Sequence, residues 1–168
     1  MPESLSGLND MSTNDLKFVS AIVKSLRAGV LDVWVFGGWA EELQGMRPPG
    51  PHTDVDLLLR ATDFGPLDAF MPRVAGVTEI PQKRFSHKRA FVWQDVRVEV
   101  LLVQPAPHAL TVLFDGRATV QWPADTFAGG FVEGLPVASK SALKMYRHDH
   151  DQVARAYAEF MESRARAG

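Results

Sequence analysis

Two acidic residues inside an otherwise apolar segment constrain the fold most strongly. Residues 54–60 read Asp-Val-Asp-Leu-Leu-Leu-Arg, a composition typical of a buried β-strand. Because side chains alternate between the two faces of a strand, Asp54 and Asp56 are expected on the same face, roughly 7 Å apart. Two like charges there repel each other and lose hydration unless a cation lies between them. The segment therefore predicts a strand that binds a divalent cation.

Composition limits the classes of protein that remain. The chain has 168 residues, no cysteine, 46% hydrophobic and 23% charged residues and a formal charge of -2, which predicts one globular domain over residues 1–168 with a loose terminus at residues 1–11. We expect no duplex nucleic acid as a partner, because there is no excess of basic residues. No segment is apolar enough to span a membrane, and the absence of cysteine excludes disulfides and thiolate chemistry. We expect a cytoplasmic protein, either a monomer with an open cleft or a homodimer.

Apolar periodicity and turn residues predict an α+β fold, a mixed β-sheet flanked by helices, with further helices at the C-terminus. A first helix is expected from a cap at Ser12 or Thr13 to a stop at Gly29. Other helices are expected at residues 39–45 and 63–74, from Ser139 or Ser141 to Arg147, and at residues 149–164. Strands are expected at residues 30–36, 54–60, 76–80, 89–94 and 96–103, and as a hairpin at residues 110–121 that turns at Asp115 and Gly116. Residues 46–52 are expected to form an exposed loop, and residues 123–138 an irregular excursion.

A third acidic residue lies in the strand predicted at residues 96–103. There Glu99 shares a face with Arg97 and Leu101, and valines occupy most of the other face. One interpretation is an ion pair of Glu99 with Arg97 or Arg89 on a solvated sheet face. The other is a third metal ligand or a base, since carboxylates on neighbouring strands can hold the pair of cations, about 4 Å apart, that phosphoryl-type transfer uses.

Taken together, these motifs resemble a known family. The stretches that carry the resemblance are Gly37-Gly38-Trp39-Ala40 and His52-Thr53-Asp54-Val55-Asp56-Leu57-Leu58, followed by Phe114-Asp115-Gly116, Trp122-Pro123 and Leu135-Pro136-Val137. The chain is similar over roughly residues 30–155 to the nucleotidyltransferase superfamily of DNA polymerase β type. Within it, the chain resembles the small lincosamide and aminoglycoside nucleotidyltransferases. It departs from the family's C-terminal Lys-and-Asp element, because the acids at 149 and 151 follow Lys144 more closely.

The resemblance implies roles for individual residues. The backbone N–H groups of Gly37, Gly38 and Trp39, at the start of a helix, would hold the triphosphate of a nucleotide. His52 and Lys144 would contribute to the same nucleotide site. The resemblance also implies that two Mg²⁺ ions bind the carboxylates of Asp54 and Asp56, and that Glu99 binds one ion or accepts the proton of the attacking hydroxyl.

The activity that the resemblance implies is transfer of a nucleoside monophosphate from a nucleoside triphosphate such as ATP to a hydroxyl, with release of pyrophosphate. The expected acceptor is a small hydroxylated molecule, as in antibiotic resistance. Two alternatives remain open: transfer to a protein or tRNA acceptor, as in toxin-like relatives, and a nucleotide-binding domain without transfer activity.

Several residues have a structural interpretation beside a functional one. Trp39 could pack in the core or stack on the base, and His52 and Arg47 could contact phosphate or be solvated. A basic cluster, comprising Lys83, Arg84, His87, Lys88 and Arg89, could bind a phosphate-bearing substrate or be solvated. The segment His148-Asp149-His150-Asp151 could bind a transition metal, but acids that cap the last helix explain it more simply. Asp149 could also bind the acceptor.

Overall fold

The centre of the fold is a five-stranded mixed sheet with the strand order β1-β2-β5-β4-β3. The computed structural model describes residues 14–168. The strands are β1 (Val33–Phe36), β2 (Asp54–Arg60), β3 (Val77–Glu79), β4 (Lys88–Trp93) and β5 (Val96–Val103). β2 is antiparallel to β1 and parallel to β5, and the other pairs are antiparallel. The sheet confirms the predicted α+β class, and strands β2 and β5 have the predicted bounds.

Two small antiparallel pairs complete the β-structure. One is the predicted hairpin, with strands β6 (Leu110–Leu113) and β7 (Ala118–Gln121). Its turn contains Phe114 and Asp115 at positive φ and confirms the expected position of the bend. The other pair, β8 (Phe131–Val132) and β9 (Leu135–Pro136), lies within the irregular segment 123–138.

Five α-helices lie in the part of the chain that the structure describes. They are α1 (Leu16–Ala28), α2 (Gly37–Leu43), α3 (Gly65–Phe70), α4 (Lys140–His148) and α5 (His150–Ala167). None of these helices is both long and apolar enough to cross a membrane.

The ends of three helices correct the prediction. The carboxylate of Asp15 caps α1, accepting a hydrogen bond of 2.8 Å from the N–H of Phe18, whereas the predicted caps Ser12 and Thr13 lie outside the described residues. Helix α2 begins at Gly37, two residues before the predicted start. Helix α3 ends at Phe70 and passes into a 3-10 turn that contains Pro72, because proline lacks the N–H that a longer α-helix needs.

The apolar core surrounds the acidic strand on both faces. Leu57, Leu58 and Leu59 of β2 are each at most 1% exposed although they alternate in direction. On α1 the apolar side chains of Val19 and Leu26 are also fully buried, whereas Leu16 at its start is 36% exposed. The first residues of β2 therefore lie next to an apolar core of low dielectric constant, where an unpaired charge is costly.

Candidate active site

The register of the sheet places the acidic side chains of β2 and β5 beside each other. In the parallel pair β2–β5, Asp56 is opposite Glu99 and Asp54 is opposite Arg97. Partners in register project from the same face of a sheet, so the two carboxylates of Asp56 and Glu99 face the same space. The alternation within each segment predicted the face that each carboxylate takes, and the pairing of β2 with β5 brings the two carboxylates together.

A glycine turn approaches Asp56 from the neighbouring strand. Strand β1 ends at Phe36, which is paired with Asp56, and Gly37 then adopts a positive φ of +62°. A Cβ atom at Gly37 would lie 2.9 Å from the Cβ of Asp56 and would overlap its Oδ2. Gly37 is therefore required twice, by its backbone conformation and by the space that the carboxylate occupies.

Asp56 has no hydrogen bond or ion pair to any residue within 14–168. Burial, followed by the negative charges of Glu99 and Asp54, raises the pKa of its carboxyl from 3.8 to about 7. The nearby cations Lys88 and Arg97 oppose this rise only in part. A divalent cation would reverse the balance, because it favours the charged carboxylate.

Glu99 lies between two ammonium groups. Its Oε1 is 3.0 Å from Lys83 Nζ and 3.2 Å from Lys88 Nζ, yet neither is aligned for a hydrogen bond and the atom is buried. Burial alone would raise the pKa of Glu99, but Lys88 and Lys83 outweigh it and lower the pKa below its usual value. Of the two predicted partners, Arg97 is 3.9 Å away and Arg89 is paired with Asp68 instead.

Asp54 is held by an arginine. Arg97 donates to it through Nε and Nη2 over 3.1 and 2.6 Å, so the pair is bidentate. Asp54 does not line the cavity described below. As the side chains stand, residues 14–168 contain no group of three Asp, Glu or His residues placed to hold a metal ion.

A cavity of about 380 Å³ opens at the acidic pair; we refer to it as the acidic cavity. Gly37, Asp56 and Glu99 line it together with Glu41, Tyr146, Arg147 and His150. No motif in the sequence joins these last four residues. They lie on α2, α4 and α5, and only the tertiary packing of those helices brings them to the sheet.

Glu41 of α2 and Tyr146 of α4 also line the acidic cavity. Arg147 Nη2 lies 2.5 Å from Glu41 Oε2 and links α4 to α2. Burial, and then the charges of Asp56 and Glu99, raise the pKa of Tyr146 to about 12. The phenol therefore remains protonated at neutral pH and can donate a hydrogen bond into the cavity.

The start of α2 carries further predicted nucleotide-binding residues. A Cβ at Gly38 would lie 3.0 Å from both Arg47 Nη1 and His52 Nδ1, so these two cationic or polar side chains meet over the helix start. His52 Nε2 is 2.9 Å from Glu42 Oε1. Its ring packs on Trp39 with centroids 4.2 Å apart.

Trp39 and Lys144 lie outside the acidic cavity. Trp39 is 6% exposed and its indole N–H donates to Asn14 Oδ1 over 3.0 Å. This placement corresponds to the core interpretation of Trp39. Lys144 is exposed on α4, and Arg147 is the residue of that helix whose cation lines the cavity.

The basic cluster divides into separate ion pairs. Arg84 and Arg89 both bind Asp68, over 3.0 and 2.8 Å, while the two lysines face Glu99. His87 is buried, and burial lowers its pKa to about 4, so it is neutral. The cluster therefore presents no continuous cationic surface.

The segment 148–151 begins the last helix. Asp149 is the N-cap of α5, but its side chain makes no capping hydrogen bond. Its Oδ1 is instead 3.1 Å from His148 Nδ1. The position of the cap was predicted correctly, whereas the capping interaction itself is absent from the described structure.

Several solved structures resemble this chain in fold. No protein-family model and no curated protein matches the chain. A crystal structure of the lincosamide antibiotic adenylyltransferase LnuA with bound lincomycin is similar, with a TM-score of 0.63 and 13% identity over 85% of this chain and 96% of that one. A crystal structure of ANT(2'')-Ia in complex with adenylyl-2''-tobramycin has a TM-score of 0.56 and 17% identity, covering 88% of this chain and 87% of that one. A solution structure of the antibiotic-resistance factor ANT(2'')-Ia has a TM-score of 0.55 and 18% identity, over 94% and 96%.

At these identities the likeness concerns the fold. It confirms the predicted nucleotidyltransferase fold for this chain, with the mixed sheet and the C-terminal helices in the expected order.

Proposed function

We propose that this protein is a metal-dependent nucleotidyltransferase that modifies a hydroxyl of a small molecule. The observation that carries the proposal is the juxtaposition of Asp56, Glu99 and the Gly37 turn at one cavity of a nucleotidyltransferase fold. Asp56 is a half-buried carboxylate that no residue within 14–168 pairs with, and its position next to a second carboxylate is costly. Binding of a cation would offset this cost, whereas a structural role does not require such a pair.

The donor atoms suit magnesium. Mg²⁺ binds oxygen ligands and usually takes one or two carboxylates together with oxygens of a bound phosphate. Asp56 and Glu99 would supply the first carboxylates, and Asp54 would join them after its release from Arg97. The three cationic side chains of Lys83, Lys88 and Arg97 balance the acids in the described structure.

The triphosphate would lie at the Gly37 turn. The N–H groups of Gly37, Gly38 and Trp39 begin α2 and have no intrahelical acceptor, so they can donate to phosphate oxygens. Arg47 and His52, which meet over Gly38, would add charge and a donor from the loop. Lys144 keeps the role implied by the resemblance only if its side chain turns inward, whereas Arg147 already lines the acidic cavity.

The reaction is an in-line substitution at phosphorus. The acceptor oxygen forms a bond to the α-phosphorus, the bond from that phosphorus to the pyrophosphate oxygen breaks, and the hydroxyl proton passes to a carboxylate. Glu99 would accept this proton if it does not bind a metal ion. Bound divalent ions would acidify the hydroxyl and neutralise charge on the leaving pyrophosphate. The remaining residues of the cavity position the two reactants.

A small acceptor is favoured over RNA or a protein. The similar solved structures hold lincomycin and an adenylylated tobramycin. Arg84 and Arg89, two members of the basic cluster, are already paired with Asp68. The basic cluster, the one sequence feature that supported the protein or tRNA alternative, is therefore weakened as a binding surface for a polyanion.

Pyrophosphate release tests the proposal. Each of the four nucleoside triphosphates is incubated with the protein, Mg²⁺ and either a panel of small hydroxylated molecules or total RNA. Release that requires a small acceptor supports the proposal, and labelled RNA or self-labelled protein supports the alternative. Nucleotide binding without release under any condition identifies a silent domain and overturns the proposal.

A further inference from the structure

A second cavity adjoins the acidic cavity on the side away from the glycine turn. It has a volume of about 510 Å³, and Lys88, Leu101, Tyr146 and His150 line both cavities. The two cavities are therefore neighbours that share these side chains. A molecule bound in the second cavity would reach Asp56 and Glu99 past the shared side chains.

The walls of the second cavity are aromatic. Phe85, Phe114 and Tyr157 line it, and their ring centroids are 5.3 to 6.2 Å apart in edge and tilted arrangements. Tyr157 is 45% exposed, although an aromatic side chain on a helix would normally bury more of its surface. Phe114 is 5% exposed and supports the other two rings from below, so Tyr157 supplies most of the aromatic surface that a ligand can cover.

The charge on this cavity has one sign. Lys83 and Lys88 line it, and within the described chain no aspartate or glutamate does. The nearest acid, Glu99, lies between the two lysines and neutralises only one of their charges. Within this cavity a ligand with several ammonium groups would meet Lys83 and Lys88 and, among the lining residues, no carboxylate to pair with, which costs binding energy. The carboxylates of Glu41, Asp56 and Glu99 line the neighbouring acidic cavity instead.

We propose that this aromatic cavity is the acceptor site, and that it takes a neutral or anionic molecule in which a hydroxylated part is joined to an aryl group. The same cavity discriminates against polycationic acceptors. This inference deepens the proposed function and rests on it, because the acceptor hydroxyl is assigned to the neighbouring acidic cavity.

Ligand binding, measured separately from catalysis, tests the proposal. The probes are 4-nitrophenyl glucoside, which is neutral, 4-nitrophenyl glucuronide, which is anionic, and tobramycin, which is polycationic. Affinities are measured by calorimetry on the full chain. Ala154 is exposed and lines the aromatic cavity, so Ala154→Trp fills the cavity without disturbing the core. Ala158→Trp, on an exposed position of the same helix outside the cavity, is the matched control.

The proposal predicts that each aryl glycoside binds the wild type and Ala158→Trp with equal affinity. Ala154→Trp should lower that affinity by about tenfold or more. Tobramycin should show no measurable binding and should not displace the aryl glycosides. Failure of both aryl glycosides to bind, equal binding to the two tryptophan variants, or stronger binding of tobramycin overturns it. Nucleotide binding is measured on the same samples. If the wild type binds no nucleotide, the proposed function is refuted. Aryl glycosides that bind the wild type but not Ala154→Trp would still identify the aromatic cavity as their binding site.

Discussion

Gly37 and Asp56 occupy adjoining space across strands β1 and β2, so closely that any side chain at position 37 would overlap the carboxylate. The turn that begins α2 thus packs directly against the carboxylate of Asp56. The glycine allows the helix start and the carboxylate to approach the same point in the cavity. Under the proposed function, a metal ion and a phosphate group would bind side by side at this point.

Gly37→Ala is therefore expected to impair both folding and nucleotide binding. The positive φ and the overlap with Asp56 together should lower the free energy of unfolding by about 1 to 4 kcal/mol. Urea unfolding and nucleotide titration measure the two effects.

Gly45→Ala provides the matched control for the overlap. Gly45 has a φ of +73°, but a Cβ there would meet no atom within 4 Å. Gly45→Ala therefore introduces only the backbone strain, without an overlap. Gly37→Ala should lower the free energy of unfolding by more than Gly45→Ala does. Equal losses in the two variants would show that the approach of Asp56 to the turn has no energetic consequence.

Asp56→Asn is expected to stabilise the metal-free protein at neutral and higher pH. The unfolded carboxyl ionises near 3.8, whereas the folded one keeps its proton to about 7. The free energy of unfolding of the wild type therefore falls as the pH rises through this interval. Asparagine does not ionise, so the variant should be more stable by roughly 2 to 4 kcal/mol at pH 8 and nearly equal at pH 4.

Urea unfolding in the presence of a chelator at both pH values measures this difference. Asp95→Asn, which removes the same charge from an exposed turn, is the control and should show no such dependence. If Asp56→Asn is destabilised at pH 8, the carboxylate has a structural partner and its assignment as a ligand is wrong.

His87 should make the protein sensitive to acid. Its pKa is lowered from 6.5 to about 4 because it is buried and lies beside Lys88. The unfolded chain therefore binds a proton first, and stability present above pH 6.5 is lost as the pH falls toward 4. The loss attributable to this one group is about 3 kcal/mol at most.

His87→Gln keeps an acceptor for the N–H of Phe114, which donates to His87 Nδ1 over 3.2 Å, but cannot be protonated. The variant should lose less stability than the wild type between pH 6.5 and pH 4 when unfolding is followed by urea at several pH values. Parallel curves for the two proteins would contradict the assignment of a neutral buried histidine.

Arg147 and Lys144 can be separated by kinetics once an acceptor is identified. Arg147 lines the acidic cavity and is held there by Glu41, while Lys144 is exposed outside it. We expect Arg147→Gln to raise the KM for the nucleotide by about tenfold, and Lys144→Gln to change it little. The opposite order would restore the role that the family resemblance implies for Lys144.

The strand that contains Asp54 and Asp56 was predictable because its sequence has a single structural interpretation. An Asp-Val-Asp start followed by three leucines suits only a strand buried on both faces, and β2 has the predicted bounds Asp54–Arg60. Alternation within residues 96–103 likewise predicted that Glu99 lies on the same face of its strand as Arg97 and Leu101. That Asp56 and Glu99 are neighbours depends on the pairing of β2 with β5, which the motifs suggested only through the family resemblance.

The partners of these acids were not predictable in the same way. Lys83 reaches Glu99 from the 3-10 turn that precedes β4, and Lys88 reaches it from the first position of β4. Arg147 reaches Glu41 from a helix about a hundred residues away in the chain. Local periodicity carries no information about such contacts. The cap of α1 was missed for a simpler reason: Ser12, Thr13 and Asp15 are all good capping residues, and only the geometry of the first turn selects Asp15.

Calorimetric titration with a non-hydrolysable ATP analogue, with and without Mg²⁺, tests the central claim most directly. The account predicts that the wild type binds the analogue only with Mg²⁺ and that Asp56→Asn, still folded, does not bind it. Binding of equal strength to the wild type and Asp56→Asn in Mg²⁺ would contradict it.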